Sequence, residues 1–566
     1  MNGRFPSEYR QRIRKRLAFL YGEAQAEALT DHLLEKLAGF APEPHPAPSS
    51  LWREHDLLLI TYGDSIRKPD ETPLRTLHRF LTAHLGDTVS SVHILPYFPY
   101  SSDDGFAVID YLRVNPALGD WPEVEAIARD FRLMTDLVIN HVSSRHAWFQ
   151  NYLRDLDPGR DYFIEVDPDT DLSQVVRPRT TPLLTRFETV RGPRWVWTTF
   201  SPDQIDVNFQ NPKVLFEYLD ILLYYLGKGA RLIRLDAIAY LWKKIGTPCI
   251  HLPETHEVVK LLRDVVEQAA PDTLLITETN VPHAENIRYF GQGDEAHVVY
   301  QFPLPPLVLH ALYTGDAGYL NHWAANLEPP PPGCTFLNFL ACHDGIGLRP
   351  LEGIVPSEEI DRLVAGMQEL DGLVSWRATP DGGRAPYELN IAWFSAMQGT
   401  VKGRDGLAVE RHRCAHAIML ALQGIAAFYI LSLLGTENDR EGVEQTGAPR
   451  AINRHKWDWN ALQTRLADPH SPQARVFTEL RRLAGMRRRQ PAFHPDAPQQ
   501  VLDLGPAVFA VRRQTQSQTL LALHNVTAQP RLIPLPGGQW HELLSGERVE
   551  AEIALPPYGV AWLAQA

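Results

Sequence analysis

Eight short apolar runs, each followed by polar residues and then a helix-like stretch, constrain this chain more than any other feature of its sequence. Starting at Leu57 they read LLLITYGD, VSSVHILPY, LMTDLVINH, RLIRLDAIAY, TLLITETN, AHVVYQF, TFLNFLACHD and AAFYILSLLG. A strand with one wet face alternates apolar and polar residues, whereas a strand covered by helices on both sides stays apolar along its length. Eight such runs predict an α/β protein whose parallel strands close into a (β/α)8 barrel of the TIM type. Periodicity by itself does not separate a buried strand from a buried helix fragment.

A chain of 566 residues is too long for one ordinary core, so attachments to the barrel are expected. Ile13, Leu17, Leu20, Ala24, Leu29, Leu33 and Leu37 recur at roughly helical spacing, and PEPHPAPSS then stops the pattern. This predicts an N-terminal helical arm over residues 1–50, packed on a catalytic barrel over 51–497. Two connections in the barrel exceed a simple βα loop: an insertion at about 143–205 and a second long loop region at about 345–412, which contains RATPDGG and YELNIAWFSAM. On a barrel, such loops shape the mouth of the pocket. Over 498–566, AVFAVRRQ, TLLALHNV and ALPPYGVAWLAQA between Pro/Gly turns predict a small C-terminal antiparallel β domain.

Charge and cysteine usage narrow the partners. Lys and Arg total 55 against 68 Asp and Glu, a formal charge of −13, which opposes loose binding to nucleic acid or anionic lipid. Cys249, Cys334, Cys342 and Cys414 form no CxxC pair, which argues against a disulfide framework and a cysteine zinc site. No run approaches the roughly 20 apolar residues that span a bilayer. The basic run RQRIRKR is followed by a segment interrupted too soon for a secretory signal. A cytoplasmic protein is expected, with no membrane partner, no metal and no organic cofactor. GKGAR lacks the full spacing of a phosphate loop, and ETHEVVK lacks HExxH.

The polar residues at the ends of the runs carry the chemistry. Asp136 and His141 belong to the third run, Arg234 and Asp236 to the fourth, Glu278 to the fifth, and His343 and Asp344 to the seventh. A barrel gathers the C-terminal ends of its strands, so these residues can line one pocket. Retaining glycosyl transfer needs two carboxyl groups about 5 Å apart, one attacking the sugar and one protonating the leaving oxygen. Asp236 and Glu278 fit those roles, Glu278 requiring a raised pKa. Arg234 shares a strand face with Asp236 and can keep it ionised. Asp344 is available to stabilise the oxocarbenium-like state, and His141 and His343 to bond sugar hydroxyls. Taken singly, an Asp or His at a strand end is more often a cap than a catalyst; Asp136 in particular reads as structural support.

DLVINH, RLDAIAY, ITETN and CHD, in that order, resemble the four barrel motifs of the α-amylase superfamily, glycoside hydrolase family 13. The resemblance implies Asp236 as nucleophile, Glu278 as acid/base and Asp344 as transition-state stabiliser, with His141, Arg234 and His343 in the sugar subsite. LLLITYGD, HILPYFPYSSDDGFAVIDY, HDGIG and AINRHKW are more similar to the sucrose phosphorylase subfamily than to starch-degrading relatives. That similarity adds Asp103 as a clamp on glucose hydroxyls, Phe106 as an apolar platform and Arg454 as a further sugar contact.

Members of that subfamily are hexosyltransferases in which inorganic phosphate, instead of water, attacks a β-glucosyl-enzyme and releases α-glucose 1-phosphate. A phosphate dianion among carboxylates needs compensating donors; Arg177, Arg179 and Arg349 are the candidates. The N-terminal arm and the long first insertion look most like the glucosylglycerate branch, whose anionic glycerate would also use an arginine. The expected partners are inorganic phosphate and a small α-glucoside, acting on a monomer or homodimer. Sucrose, sucrose 6-phosphate and glucosylglycerol stay open as substrates. A hydrolase or transglucosylase with the same intermediate, and a non-catalytic carbohydrate-binding protein, remain competing readings.

Overall fold

Each apolar run supplies one strand in the computed structural model, which describes residues 5–40, 50–379 and 383–565. The strands are β1 (Leu57–Thr61), β2 (Ser91–Ile94), β3 (Arg132–Val138), β4 (Ala230–Asp236), β5 (Leu274–Thr277), β6 (Val298–Tyr300), β7 (Thr335–Phe339) and β8 (Ile425–Tyr429). They pair parallel in chain order, and β8 pairs with β1 to close the barrel. Every residue of β1, β4, β5, β7 and β8 is buried, which is why these runs carry no alternation.

Register fixes which polar residues meet. Arg234 is level with Asp136 on β3 and Ile276 on β5, and Leu235 is level with Thr277. Glu278, one residue past β5, bonds through its N–H to the Leu235 carbonyl at 3.2 Å and so stands beside Asp236.

Before the barrel come α1 (Ser7–Tyr21) and α2 (Glu23–Gly39), reversed at Gly22, whose φ of 85° suits glycine. The sequence reads as one helical rhythm, but this break resets its phase. Ile13, Leu17, Leu20, Leu33 and Leu37 are buried, whereas Ala24 is exposed and Leu29 only half-buried. The linker at 41–49 and residues 380–382 of RATPDGG lie outside the described residues. α1 and α2 lie against the barrel helix α4 (Pro253–Ala269), which follows β4, and α2 also meets α3 (Pro212–Gly227), which precedes β4.

Between β3 and β4 come a short helix, Ala147–Leu153, and the hairpin Leu184–Thr189 with Gly192–Trp197. After β7, the helix Ser357–Glu369 precedes the antiparallel pair Leu373–Ala378 with Arg384–Asn390. The chain ends in a six-stranded sheet containing Val508–Gln514, Thr519–Asn525 and Val560–Gln565, paired antiparallel. Fully buried Arg513 joins it to the barrel by donating to the Ala421 carbonyl at 2.8 Å.

Candidate active site

The C-terminal strand ends open into one cavity of about 680 Å³, counted to its mouth. Asp103, Phe106, His141, Arg179, Asp236, Glu278, His343 and Asp344 line it, together with Gln204, Tyr240, Asn280, Tyr387, Glu388 and Arg450. Arg234 and Arg454 are not among the lining residues; both are buried and bonded to residues that are.

Arg234 organises the floor. Its Nη1 donates to Asp136 Oδ1 at 2.5 Å and to Asp236 Oδ1 at 2.9 Å, and Nη2 lies 4.0 Å from Glu278. His93 holds the second oxygen of Asp136 at 2.6 Å. Burial opposes ionisation of Asp136, yet His93 and Arg234 bring its pKa down to about 2. Asp136 is therefore a fixed anion under the floor, anchoring the arginine.

Asp236 and Glu278 share this low-dielectric space. Burial raises both; Arg234 opposes the rise in each, while Glu278 adds to that of Asp236 and Asp344 to that of Glu278. Such a pair titrates as a unit and retains a proton that neither group would hold alone. Arg234 donates directly to Asp236 and only approaches Glu278, so its stabilisation of the carboxylate form is aimed at Asp236, although burial and the Glu278 charge push the Asp236 carboxyl well above its ordinary value. The Ala237 N–H donates to Glu278 Oε2 at 3.1 Å, and Ala237 adopts φ +50° to aim it there.

Asp344 is held by a different arginine. Arg450 Nη1 lies 2.5 Å from Asp344 Oδ1, and the other side of its guanidinium grips Glu388 at 2.5 and 3.1 Å. Burial works against the charge on Asp344, but Arg450, then His343 and Arg454, hold its pKa well below the usual carboxylate range. Asp344 thus stays ionised beside a pair that holds a proton.

The opposite wall is aromatic and imidazole-rich. The Phe106 and His343 rings stack at 4.8 Å and 8°. His141 Nε2 lies 2.9 Å from the Phe106 carbonyl and 3.1 Å from the Gln204 amide, which also donates to Asp103 at 3.2 Å. Burial pushes both histidines below the ordinary imidazole value, so they are neutral hydrogen-bonding groups. Asp103 and Asp104 both take left-handed backbone, at φ 53° and 46°, before Gly105, where a Cβ would meet the Pro96 carbonyl at 2.8 Å. This turn sends Asp103 to the cavity and Asp104 to Arg454, which also donates to the His343 carbonyl at 2.9 Å.

The three arginines named for anions separate. Arg179 lines the cavity, its guanidinium 5.5 Å from the Tyr387 ring and 5.9 Å from that of Phe200. Arg349 is half-buried, opens a short 3-10 turn and acts electrostatically on Tyr240 and His251 from outside the cavity lining. Arg177 is exposed and donates to the Thr181 carbonyl, away from the lining.

Similarity to known proteins agrees with this geometry. The α-amylase catalytic domain model matches residues 84–320. The chain is 48% identical to a glucosylglycerate phosphorylase of Allomeiothermus silvanus, covering 98% of this chain and 99% of that one. This protein belongs to the α-amylase family, in its branch of disaccharide phosphorylases. Across that branch, it is 44% identical to the glucosylglycerate phosphorylase of Escherichia coli over 90% of its own length and 92% of the relative's. It is 31% identical to a sucrose phosphorylase of Agrobacterium vitis, over 83% and 95%. The crystal structure of a sucrose 6F-phosphate phosphorylase from Thermoanaerobacter thermosaccharolyticum superposes with a TM-score of 0.73 at 26% identity, covering 83% of this chain and 94% of that one. A β-galactosidase C-terminal domain model matches residues 508–563, within the terminal sheet.

The family motifs do not point to several residues that complete the site. Arg450 sits four positions before Arg454 in a stretch read only for the latter, and Glu388 lies on a hairpin strand with no polar landmark. Lys243, 4% exposed, bonds Asn140 Oδ1 and Asp206 Oδ2, both at 2.6 Å, and ties the first insertion to the barrel. A lysine in an apolar stretch that also holds tryptophan was the available signal.

Proposed function

We propose that this chain transfers glucose from 2-O-α-D-glucosyl-D-glycerate to inorganic phosphate with retention, giving α-D-glucose 1-phosphate and D-glycerate. The observation that carries the chemistry is the placement of Asp236 and Glu278 on neighbouring strand ends with one arginine bonded to the first. Near full-length identity to glucosylglycerate phosphorylases supports the choice of acceptor.

In this reading the Asp236 oxygen not engaged by Arg234 attacks the anomeric carbon while the bond to the glycerate oxygen breaks. Glu278 delivers its proton to that oxygen, and D-glycerate leaves. A phosphate oxygen then attacks the same carbon, the bond to Asp236 breaks, and Glu278 takes the phosphate proton back. Asp344, kept anionic by Arg450, offsets the positive charge that develops on the sugar. Phe106 and the neutral His141 and His343 hold the glucose from below and beside, with Asp103 at its hydroxyls. Arg454 supports His343 and Asp104 from behind.

Phosphate and glycerate are both anions arriving at a wall of carboxylates. Arg179 is the arginine of the three that lines the cavity, and among the described residues its guanidinium lies against the Tyr387 and Phe200 rings, which suits it to receive an oxyanion. Arg349 is an outer contributor. Arg177 takes no anion, its guanidinium being engaged by a backbone carbonyl. Among the described residues no helix is long and apolar enough to cross a membrane; a cytoplasmic monomer or homodimer completes the proposal.

The test is phosphate release from α-glucose 1-phosphate with D-glycerate, fructose, fructose 6-phosphate, glycerol or water as acceptor. Release driven by D-glycerate is expected. Faster release with fructose 6-phosphate would overturn the acceptor, and equal release with water alone would make the protein a hydrolase.

A further inference from the structure

The N-terminal hairpin clasps the two helices that bracket β4. On α4, Asp264 receives Arg16 at 2.5 Å and Arg12 at 2.7 Å, and Arg16, 8% exposed, also reaches Glu257 at 3.0 Å. On α3, Lys36 meets Asp220 at 2.7 Å. α3 ends shortly before β4, and α4 runs from the loop after β4 to β5. The clasped unit therefore carries both Asp236 and Glu278.

At the bend of the hairpin, Tyr21 reaches the loop that follows Asp236. Its hydroxyl donates to the Phe209 carbonyl at 3.1 Å, and its ring lies 6.3 Å from that of Trp242, which is 6% exposed. Next along the chain, Gln210 donates to the Lys243 carbonyl at 2.6 Å. Between Ala237 and Lys243 the loop supplies Tyr240 to the cavity wall, and it begins with the left-handed Ala237 whose N–H meets Glu278. A non-glycine residue in that conformation is strained and persists only where its surroundings hold it.

We propose that Tyr21 is a positioning residue of the active site, which by resting on Trp242 and holding the Phe209 carbonyl keeps the Ala237–Lys243 loop seated against Glu278. The glucose-facing Asp103 and His141 sit on other loops, so turnover depends on this contact and glucose affinity does not. The inference rests on Asp236 and Glu278 being the working pair.

Steady-state fluoride release from α-glucosyl fluoride at saturating phosphate tests it, because each turnover still needs Glu278 to take the phosphate proton, while the donor contains no glycerate and an error in the acceptor leaves the result intact. In the full chain, Tyr21→Ala is expected to lower kcat about 10-fold while KM stays within about two-fold. Tyr21→Phe, which keeps the ring and loses the hydroxyl, falls between Tyr21→Ala and the wild type. A Tyr21→Ala protein with wild-type kcat and only a lower melting temperature would overturn the proposal, reducing the hairpin to a stabilising attachment. Should Tyr21→Ala fail to fold, Tyr21→Phe decides: reduced kcat at unchanged KM supports the proposal, and wild-type kcat overturns it. A wild-type chain that releases no fluoride would remove the working pair itself, a failure visible before any variant is compared.

Discussion

Asp236 and Glu278 have the same chemistry in solution, and only their neighbours divide the labour. Arg234 donates directly to Asp236 and stands 4.0 Å from Glu278, and the proposed mechanism uses that difference, with Asp236 as the attacking carboxylate and Glu278 as the proton donor. The difference gives a test that separates the two roles. Glu278→Gln should lose about 10²–10⁴ in turnover on glucosylglycerate, whose leaving oxygen needs a proton. Pre-steady-state glucosylation by α-glucosyl fluoride, whose leaving group needs none, should stay close to wild type. Equal damage to both donors would contradict the assignment. At this scale the sequence was informative where a motif had a fixed spacing, as in Arg234–Leu235–Asp236. It was silent on Arg450 and Glu388, because a bridge between two loops leaves no local periodicity to read.

Elements decide which of the candidate arginines can work. Arg177 and Arg179 are two residues apart in one loop, yet the first is turned back onto the Thr181 carbonyl and the second lies against Tyr387 and Phe200 in the cavity. Arg179→Ala is expected to raise KM for phosphate by about 10-fold or more, the loss of a charge-assisted contact, and to increase hydrolysis relative to phosphorolysis. Arg177→Ala should leave both unchanged within about two-fold. Steady-state rates at varied phosphate with free glucose measured in parallel give the answer, and equal effects of the two substitutions would refute it. All eight barrel strands were legible, since dryness on both faces writes itself as unbroken apolar runs. The break at Gly22 was not, because a helix continuing past a reversal keeps much the same composition while its buried face changes. RQRIRKR, which looks like a basic patch, is largely neutralised by Glu27, Asp31, Glu23, Glu257 and Asp264, none of them near it in register along one helix.

For the molecule as a whole, the active site and the barrel share one buried ion network. Asp136 has a folded pKa of about 2, below its unfolded value, so its contribution to stability is present above about pH 4 and is lost as pH falls from there toward 2. The size of that contribution is about 2 kcal/mol. Asp344 acts with the same sign, its carboxylate favoured over the acid by Arg450. Melting temperature should therefore fall between pH 4 and 2 with a slope that becomes shallower in Asp136→Asn, a variant already less stable at pH 7 by about 3–5 kcal/mol because Arg234 is left buried without that partner. An unchanged slope would place the acid sensitivity elsewhere in the molecule. The central claim is that glucose passes through a covalent ester on Asp236. Its most direct test is peptide mapping by mass spectrometry of Glu278→Gln after reaction with α-glucosyl fluoride in the absence of phosphate. The account predicts one added glucosyl unit on the peptide containing Asp236, discharged slowly to α-glucose 1-phosphate once phosphate is supplied. Rapid fluoride release with no glucosylated peptide, or a glucosyl unit on another residue, would contradict it.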